Sequence, residues 1–274
     1  MSIRVDITKQ KELEERLKHH VYELEEDLLA NFHAAQRIQL SLMPALRPEQ
    51  TEELPVPHFI LWQPYHPVSG DFFWSYMEKK RLVLCLGDAM GHGVFGAMLS
   101  VMFMQRLHHL THLSGVWSPE KLAEEAEKIF SQFSHSKADG PITIDSFLGV
   151  LDLNRHRLSY TNLKGKAYWV RDGVVEKLHS YPFSFGERLA GTVEEVELEL
   201  QPGDRLYLLS DGTANQISRE TGKPIGSKGV TEILSRIQSV PIHLQKEALI
   251  KEIETLRGDL PQNDDMIVVG MEMI

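Results

Sequence analysis

The chain has 274 residues, 42% of them hydrophobic, enough for one large or two small domains with a real core. A net charge of −10 argues against a nucleic-acid backbone as partner. The single cysteine, Cys85, sits in the apolar run Leu82–Leu86, which excludes an internal disulfide and suits a reducing, cytoplasmic setting. No secretory signal opens the sequence and no apolar stretch approaches the roughly 20 residues of a membrane span, so no membrane insertion is expected.

From Thr8 to Leu42 there is no Gly or Pro, and Glu, Lys, Arg and Leu are abundant. Leu17, Val21, Leu24, Leu28, Asn31, Ala35, Ile38 and Leu42 recur at alternating spacings of four and three. That is an a/d heptad seam, with Asn31 as a register-setting polar position. The competing reading is an amphipathic helix packed on its own domain; the pattern favours a coiled-coil-like stem in a parallel homodimer. Upstream, Val5-Asp6-Ile7-Thr8-Lys9-Gln10-Lys11-Glu12-Leu13-Glu14 resembles the strand end and signalling-helix start that leave a PAS sensor domain. Asp-Ile-Thr is also simply a good helix cap. The resemblance implies that residues 1–45 are a signalling and dimerisation helix at the tail of a PAS-like sensor, with residues 46–274 as the output domain.

Met43-Pro44 ends the helix. Strands are then predicted at Phe59–Gln63, Phe72–Met77, Arg81–Leu86, Ser146–Leu153, Arg157–Thr161, Ala167–Arg171, Val174–His179, Val193–Leu200, Arg205–Leu209 and Met266–Met273. Arg171-Asp172-Gly173 is a hairpin signal. Helices are predicted at Val94–Leu113, Pro119–Ser134, Gly229–Gln238 and Leu244–Arg257, the second opened by a capping Ser118 and by Pro119. Strands come as consecutive hairpins rather than alternating singly with helices. The fold class is therefore α+β, with mainly antiparallel sheets and helices on their outer faces.

Four aspartates stand where apolar runs break into turns: Asp71 in Ser-Gly-Asp-Phe, Asp88 in Leu-Gly-Asp-Ala-Met-Gly-His-Gly, Asp211 in Leu-Ser-Asp-Gly and Asp264 in Asn-Asp-Asp-Met. One would be turn chemistry. Four suggest carboxylates converging on hard divalent cations, Mn²⁺ or Mg²⁺, whose oxygen-rich shells retain several waters. Two such ions about 4 Å apart can activate a water and clamp a phosphoryl group. Gly87 and Gly91 let the backbone approach, so the Ala89 carbonyl is a further candidate ligand. No Gly-x-x-x-x-Gly-Lys loop is present, which excludes a P-loop.

These motifs, in this order and spacing, resemble the metal-dependent protein serine/threonine phosphatases of the 2C type, in the SpoIIE/RsbU branch. Ala35-Gln36-Arg37-Ile38-Gln39 with Leu42-Met43-Pro44 resembles that branch's opening motif, and Leu200-Gln201-Pro202-Gly203-Asp204 its L-x-P-G-D turn. Pro182–Gly186 stands where the family has a Pro-Leu-Gly segment. The resemblance runs from about Ala35 to Ile274. It implies an α-β-β-α sandwich with two Mn²⁺ or Mg²⁺ ions at one end. Asp88 would bridge both ions, Ala89 would ligate through its carbonyl, and Asp71, Asp211 and Asp264 would complete the shells directly or through water. An activated water would attack phosphoserine or phosphothreonine without a phosphoenzyme. Family precedent implies a STAS-type anti-sigma-factor antagonist as the phosphorylated partner.

The chain departs from the family pattern at Trp74, where a second Asp is common; at Ile267, usually Thr; at Asn215, usually acidic; and at Asn162-Leu163-Lys164-Gly165, where Asn-Ala-Gly-His is frequent. These departures support a second reading, a catalytically silent adaptor that signals by binding. A small-molecule phosphodiesterase would mix His with the Asp ligands, and His92 is the one His in these motifs. His92, four residues after Asp88, is a candidate proton donor to the leaving alkoxide, or a histidine that only bonds its turn. Asp265 is expected to cap the following strand rather than ligate. His108 and His112 have zinc-compatible spacing but lack an evident third ligand, so a polar helix face, or a surface contacting the stem, is expected. Met98, Met102 and Met104 are expected in the core.

Overall fold

The computed structural model describes residues 8–43, 46, 54–91, 93–133, 142–187 and 193–274. The strands in chain order are β1 (His58–Gln63), β2 (Asp71–Glu78), β3 (Arg81–Ala89), β4 (Ile144–Asp152) and β5 (Arg157–Leu163). They continue as β6 (Lys166–Arg171), β7 (Val174–Lys177), β8 (Val196–Glu199), β9 (Arg205–Leu209) and β10 (Met266–Glu272). The helices are α1 (Thr8–Ser41), α2 (Gly93–His108), α3 (Pro119–Phe133), the short α4 (Gly212–Asn215), α5 (Gly226–Ile237) and α6 (Gln245–Arg257).

Two five-stranded sheets result, ordered β1-β10-β9-β6-β7 and β2-β3-β4-β5-β8. Their ladders are antiparallel. Three apolar layers follow. Phe73, Leu84, Phe147, Leu208, Ile267 and Val269 fill the space between the sheets. Phe72, Val83, Cys85 and Leu148 pack outward against α2 and α3, while Tyr207, Leu209 and Val268 pack against α5 and α6. This is the α-β-β-α sandwich that the family resemblance implies, and its antiparallel sheets with outer helices are those the hairpin pattern predicts. The Asp172-Gly173 signal is met by left-handed backbone at both residues, φ +50° and +83°, the conformation of a two-residue hairpin.

Two expectations change. Only Met104 of the three methionines is buried; Met98 and Met102 are exposed, at 61% and 38%. They lie with Val94 and Val101 in an apolar groove between α2 and the last turns of α1, lined there by Ala35 and Ile38. Apolar periodicity marks a helix face without saying what covers it. The predicted helix Val94–Leu113 also changes pitch, ending in a π-helical turn at His109–Leu113.

From Lys11 to Asn31 every residue of α1 is exposed, so this stretch is not packed on its own domain. Leu13, Leu17, Leu24 and Leu28 stand 55–69% exposed. Burial begins near Phe32 and is complete at Gln39 and Met43. Residues 1–7, with the first three residues of the PAS-like segment, lie outside the described residues, as does His92. No helix among the described residues is long and apolar enough to cross a membrane.

Candidate metal centre

The β2–β3–β4 register builds the site. Asp71, the first residue of β2, pairs directly with Asp88 near the end of β3, and Asp88 pairs with Asp145 at the start of β4. Residues directly opposite in a ladder point to the same face, so three carboxylates stand in a row across three strands. Asp71 thus opens its strand instead of terminating one, because the apolar run continues after it. The opposing sheet contributes Asp211, just past β9, and Asp264, two residues before β10. Asp211 lies near enough to Asp88 for its charge to raise the Asp88 carboxyl.

The electrostatics are those of a crowded buried anion cluster. Burial pushes the Asp71 carboxyl well above the usual carboxylate range; a hydrogen bond from Ser210 pulls back, and the charges of Asp265, Asp211 and Asp264 push further. Asp88 is raised well above that range by burial first, then by Asp71 and Asp211. Asp264 is raised by burial, despite a hydrogen bond from Asn215. Like charges held together this way disfavour ionisation unless a cation neutralises them.

These residues fit hard divalent cations. Asp71 Oδ2 is buried and has no hydrogen-bond partner, an orphaned anionic oxygen that a buried site does not normally keep. Backbone oxygen is close by. A Cβ added at Gly70 would lie 2.5 Å from the Ala89 carbonyl oxygen, so only glycine lets the Ser69–Asp71 turn run against that carbonyl. Among the described residues no three Asp, Glu, His or Cys side chains close on one point to hold an ion unaided. Mg²⁺ and Mn²⁺ do not require this, since one or two carboxylates with a carbonyl and retained waters complete their octahedra.

The surrounding loops are tied down by Asp265, which is buried and accepts from the Tyr65 N–H at 2.6 Å and the Gly70 N–H at 3.2 Å. It secures the segment leading into Asp71 and does not cap the following strand. Asp264 accepts from Asn215 Nδ2 at 3.1 Å and from the Asp265 N–H at 2.9 Å. Asn215 therefore occupies one oxygen of a predicted ligand without removing it. Ile267 is fully buried between the sheets and Trp74 under α2, so neither departure faces the cluster. His108 and His112 stack on each other, and His112 Nδ1 lies 2.7 Å from the Tyr76 hydroxyl, a polar surface contact with no third metal ligand.

Sequence reading missed Asp145. It shares a recess with Asp88, Asp211, Lys164 and Lys166 and is hydrogen-bonded by the Ser184 hydroxyl. Its one signal was a charged residue at the head of an apolar run, which register alone turns into a neighbour of Asp88.

Comparison with known proteins agrees with this geometry. Residues 78–273 match the family described as Stage II sporulation protein E (SpoIIE). The phosphoserine phosphatase RsbU of Bacillus subtilis is 19% identical over 192 residues, covering 69% of this chain and 55% of RsbU, so the chain spans about half the length of that relative. The SiaA-PP2C domain of Pseudomonas aeruginosa superposes with a TM-score of 0.81 at 25% identity, over 92% of this chain and 99% of that one. The catalytic domain of the serine/threonine phosphatase PstP, described in complex with two manganese ions, superposes at 0.54 with 18% identity, over 78% and 96% of the two chains. The chain belongs to the SpoIIE family and has the fold of the PP2C-type protein phosphatases.

Proposed function

We propose that this protein is a Mn²⁺- or Mg²⁺-dependent protein phosphatase that hydrolyses phosphoserine or phosphothreonine on a partner signalling protein, with a STAS-type domain as the substrate class. The observation that carries the reading is the crowding of Asp71, Asp88 and Asp211 at one end of the β2–β3 ladder, with Asp71 Oδ2 buried and without a hydrogen-bond partner. Asp71, Asp88, Asp211, Asp264 and the Ala89 carbonyl would hold the ions, with Asp88 between them. Two divalent cations, when bound, supply a water of lowered pKa and offset charge on the phosphoryl group. The chain's own contribution is to fix these oxygens: the β2–β3 ladder sets Asp71 against Asp88, and Asp265 secures the segment leading into Asp71. His92 is the candidate proton donor to the leaving alkoxide.

The N-terminal helix, residues 1–45, is proposed as the stem through which a cytoplasmic homodimer forms and an upstream sensor acts; its exposed seam supports this. The adaptor reading is favoured by a single contact, Asn215 on Asp264. Phosphate release from a phosphoserine peptide, with and without Mn²⁺, separates the two. Release that needs Mn²⁺ and is lost in Asp88→Asn and Asp211→Asn is the expected result. A wild-type protein that binds no Mn²⁺ would sink the phosphatase reading and leave the adaptor.

A further inference from the structure

One cationic wall faces the aspartate row. Among the residues lining the recess beside Asp88 and Asp211, the cations are Lys164 and Lys166. Lys164 holds a left-handed backbone, φ +54°, at the position where the family segment has Gly. A side chain with a Cβ keeps that conformation only where the surroundings fix it. Here the Lys164 N–H donates to the Tyr181 carbonyl at 3.0 Å, and the side chain reaches Ser184 and Glu187. Lys164 Nζ donates to Glu187 Oε2 at 2.9 Å and to Ser184 Oγ at 3.0 Å. The Ser184 N–H donates to the same Glu187 oxygen at 2.8 Å. One carboxylate oxygen is thus gripped by an ammonium and a backbone amide, the donor pair a phosphoryl oxygen takes. The Ser184 hydroxyl, on its other side, bonds Asp145, the cross-strand neighbour of Asp88.

We propose that Lys164 and the Ser184 amide form an anion-binding arm of the cleft, filled by Glu187 in the free protein and by a phosphoryl oxygen of the substrate when it binds. This deepens the phosphatase reading and rests on it for the identity of the substrate. A phosphomonoester carries a charge of about −1.5 to −2 against one on Glu187, and it must enter a cleft lined by carboxylates. An arm that exchanges one anion for another admits it without exposing an unpaired lysine to that acidic wall. The pair is also easily exchanged: the Lys164 and Glu187 side chains are 35% and 38% exposed, and such pairs hold weakly.

The test titrates inorganic phosphate into wild type, Lys164→Gly and Glu187→Gln, each saturated with Mg²⁺, by calorimetry. Lys164→Gly removes the amine and relieves the left-handed strain, so it should melt no lower than wild type while binding phosphate about ten-fold more weakly, the scale of one charge-assisted hydrogen bond. Glu187→Gln should bind phosphate several-fold more tightly, because the competing carboxylate is gone. In turnover the same variants should move KM for a phosphoserine peptide in those opposite directions, with smaller effects on kcat. Equal phosphate affinity in wild type and Lys164→Gly, weaker binding in Glu187→Gln, or no phosphate binding by any of the three would overturn the arm. Opposite affinity shifts in a protein that turns over no phosphopeptide would keep the arm and remove the phosphatase.

Discussion

Gln39, in the last turn of α1, and Ser69, two residues before Asp71, hold each other by a reciprocal buried pair. The Gln39 side-chain amide donates to the Ser69 carbonyl at 2.5 Å, and the Ser69 N–H donates back to Gln39 Oε1 at 3.2 Å. Gln39 Nε2 also lies 2.9 Å from Ser100 Oγ on α2. One side chain therefore joins the stem, the turn that leads into Asp71, and the helix that follows the Asp88 strand. Replacing it with Ala leaves the Ser69 carbonyl and N–H buried and unpaired, each worth about 1–3 kcal/mol. Gln39→Ala should lower the melting temperature by several degrees and weaken Mg²⁺ binding. An unchanged Mg²⁺ affinity in calorimetry would show that the stem contact supports the fold but not the metal site.

Removing divalent cations should be costly to this fold, and removing a carboxylate should relieve that cost. Asp71 and Asp88 are buried beside each other with Asp211 close by. In chelator the cluster is an unneutralised set of like charges. A saturating ion at about 100 times its Kd stabilises the native state by about 2.7 kcal/mol, several degrees of melting temperature in a domain of this size. Wild type should gain that much from Mg²⁺. Asp88→Asn should melt above wild type in EDTA and gain little from Mg²⁺. A variant that melts below wild type in EDTA and still responds to Mg²⁺ would show that Asp88 is not the shared ligand.

The strands were legible because each is an apolar run of β-branched and aromatic residues closed by a turn signal, as at Arg171-Asp172-Gly173. The candidate ligands were legible for the same reason, since each of the four aspartates stands at or beside the end of such a run. What the chain order conceals is register. Asp145 is 57 residues from Asp88 in sequence, yet the β3–β4 ladder sets the two directly opposite. Lys164 and Glu187 meet across 23 residues, through the loop that carries Ser184. Covering is concealed too: Met98 reads as core because it is apolar on a helix, and it lines an open groove. The seam of α1 was visible as a pattern, while its separation from the domain body depends on where Gln39 and Met43 anchor the helix.

The L-x-P-G-D turn is structural in this molecule. Arg171 on β6 grips Asp204 with two donors, Nε to Oδ1 at 2.8 Å and Nη2 to Oδ2 at 2.5 Å, and the Gln201 N–H adds a third at 2.8 Å. Burial alone raises the Asp204 carboxyl, but these bonds outweigh it and hold the group below its usual range. A carboxyl with a depressed folded pKa stabilises the native state above its unfolded value, near 3.9, and that contribution is lost as pH falls through the folded value. Arg171→Lys keeps the charge and loses the fork, so it should cost about 1–2 kcal/mol at pH 7. The difference from wild type should shrink below about pH 4, as Asp204 protonates in both proteins. Urea unfolding at pH 7 and pH 3 measures both; a difference that grows on acidification contradicts this account.

The α1 seam gives the remaining prediction. Leu17, Leu24 and Leu28 are 55–61% exposed on one stripe of a helix that stands clear of its own domain from Lys11 to Asn31. An isolated helix gains its stability from packing an apolar face, and α1 has no such packing over that stretch. A second copy of the same helix offers the matching stripe, with Asn31 opposite Asn31 in a parallel pair. Light scattering should therefore report a dimer whose dissociation is concentration-dependent. Leu24→Lys with Leu28→Lys places like charges on the seam and should give a monomer with weaker far-ultraviolet helix signal. The sandwich domain should remain folded, because Gln39 and Met43 still anchor the helix end. A protein that is monomeric before these changes, or dimeric after them, would exclude the seam as the pairing surface.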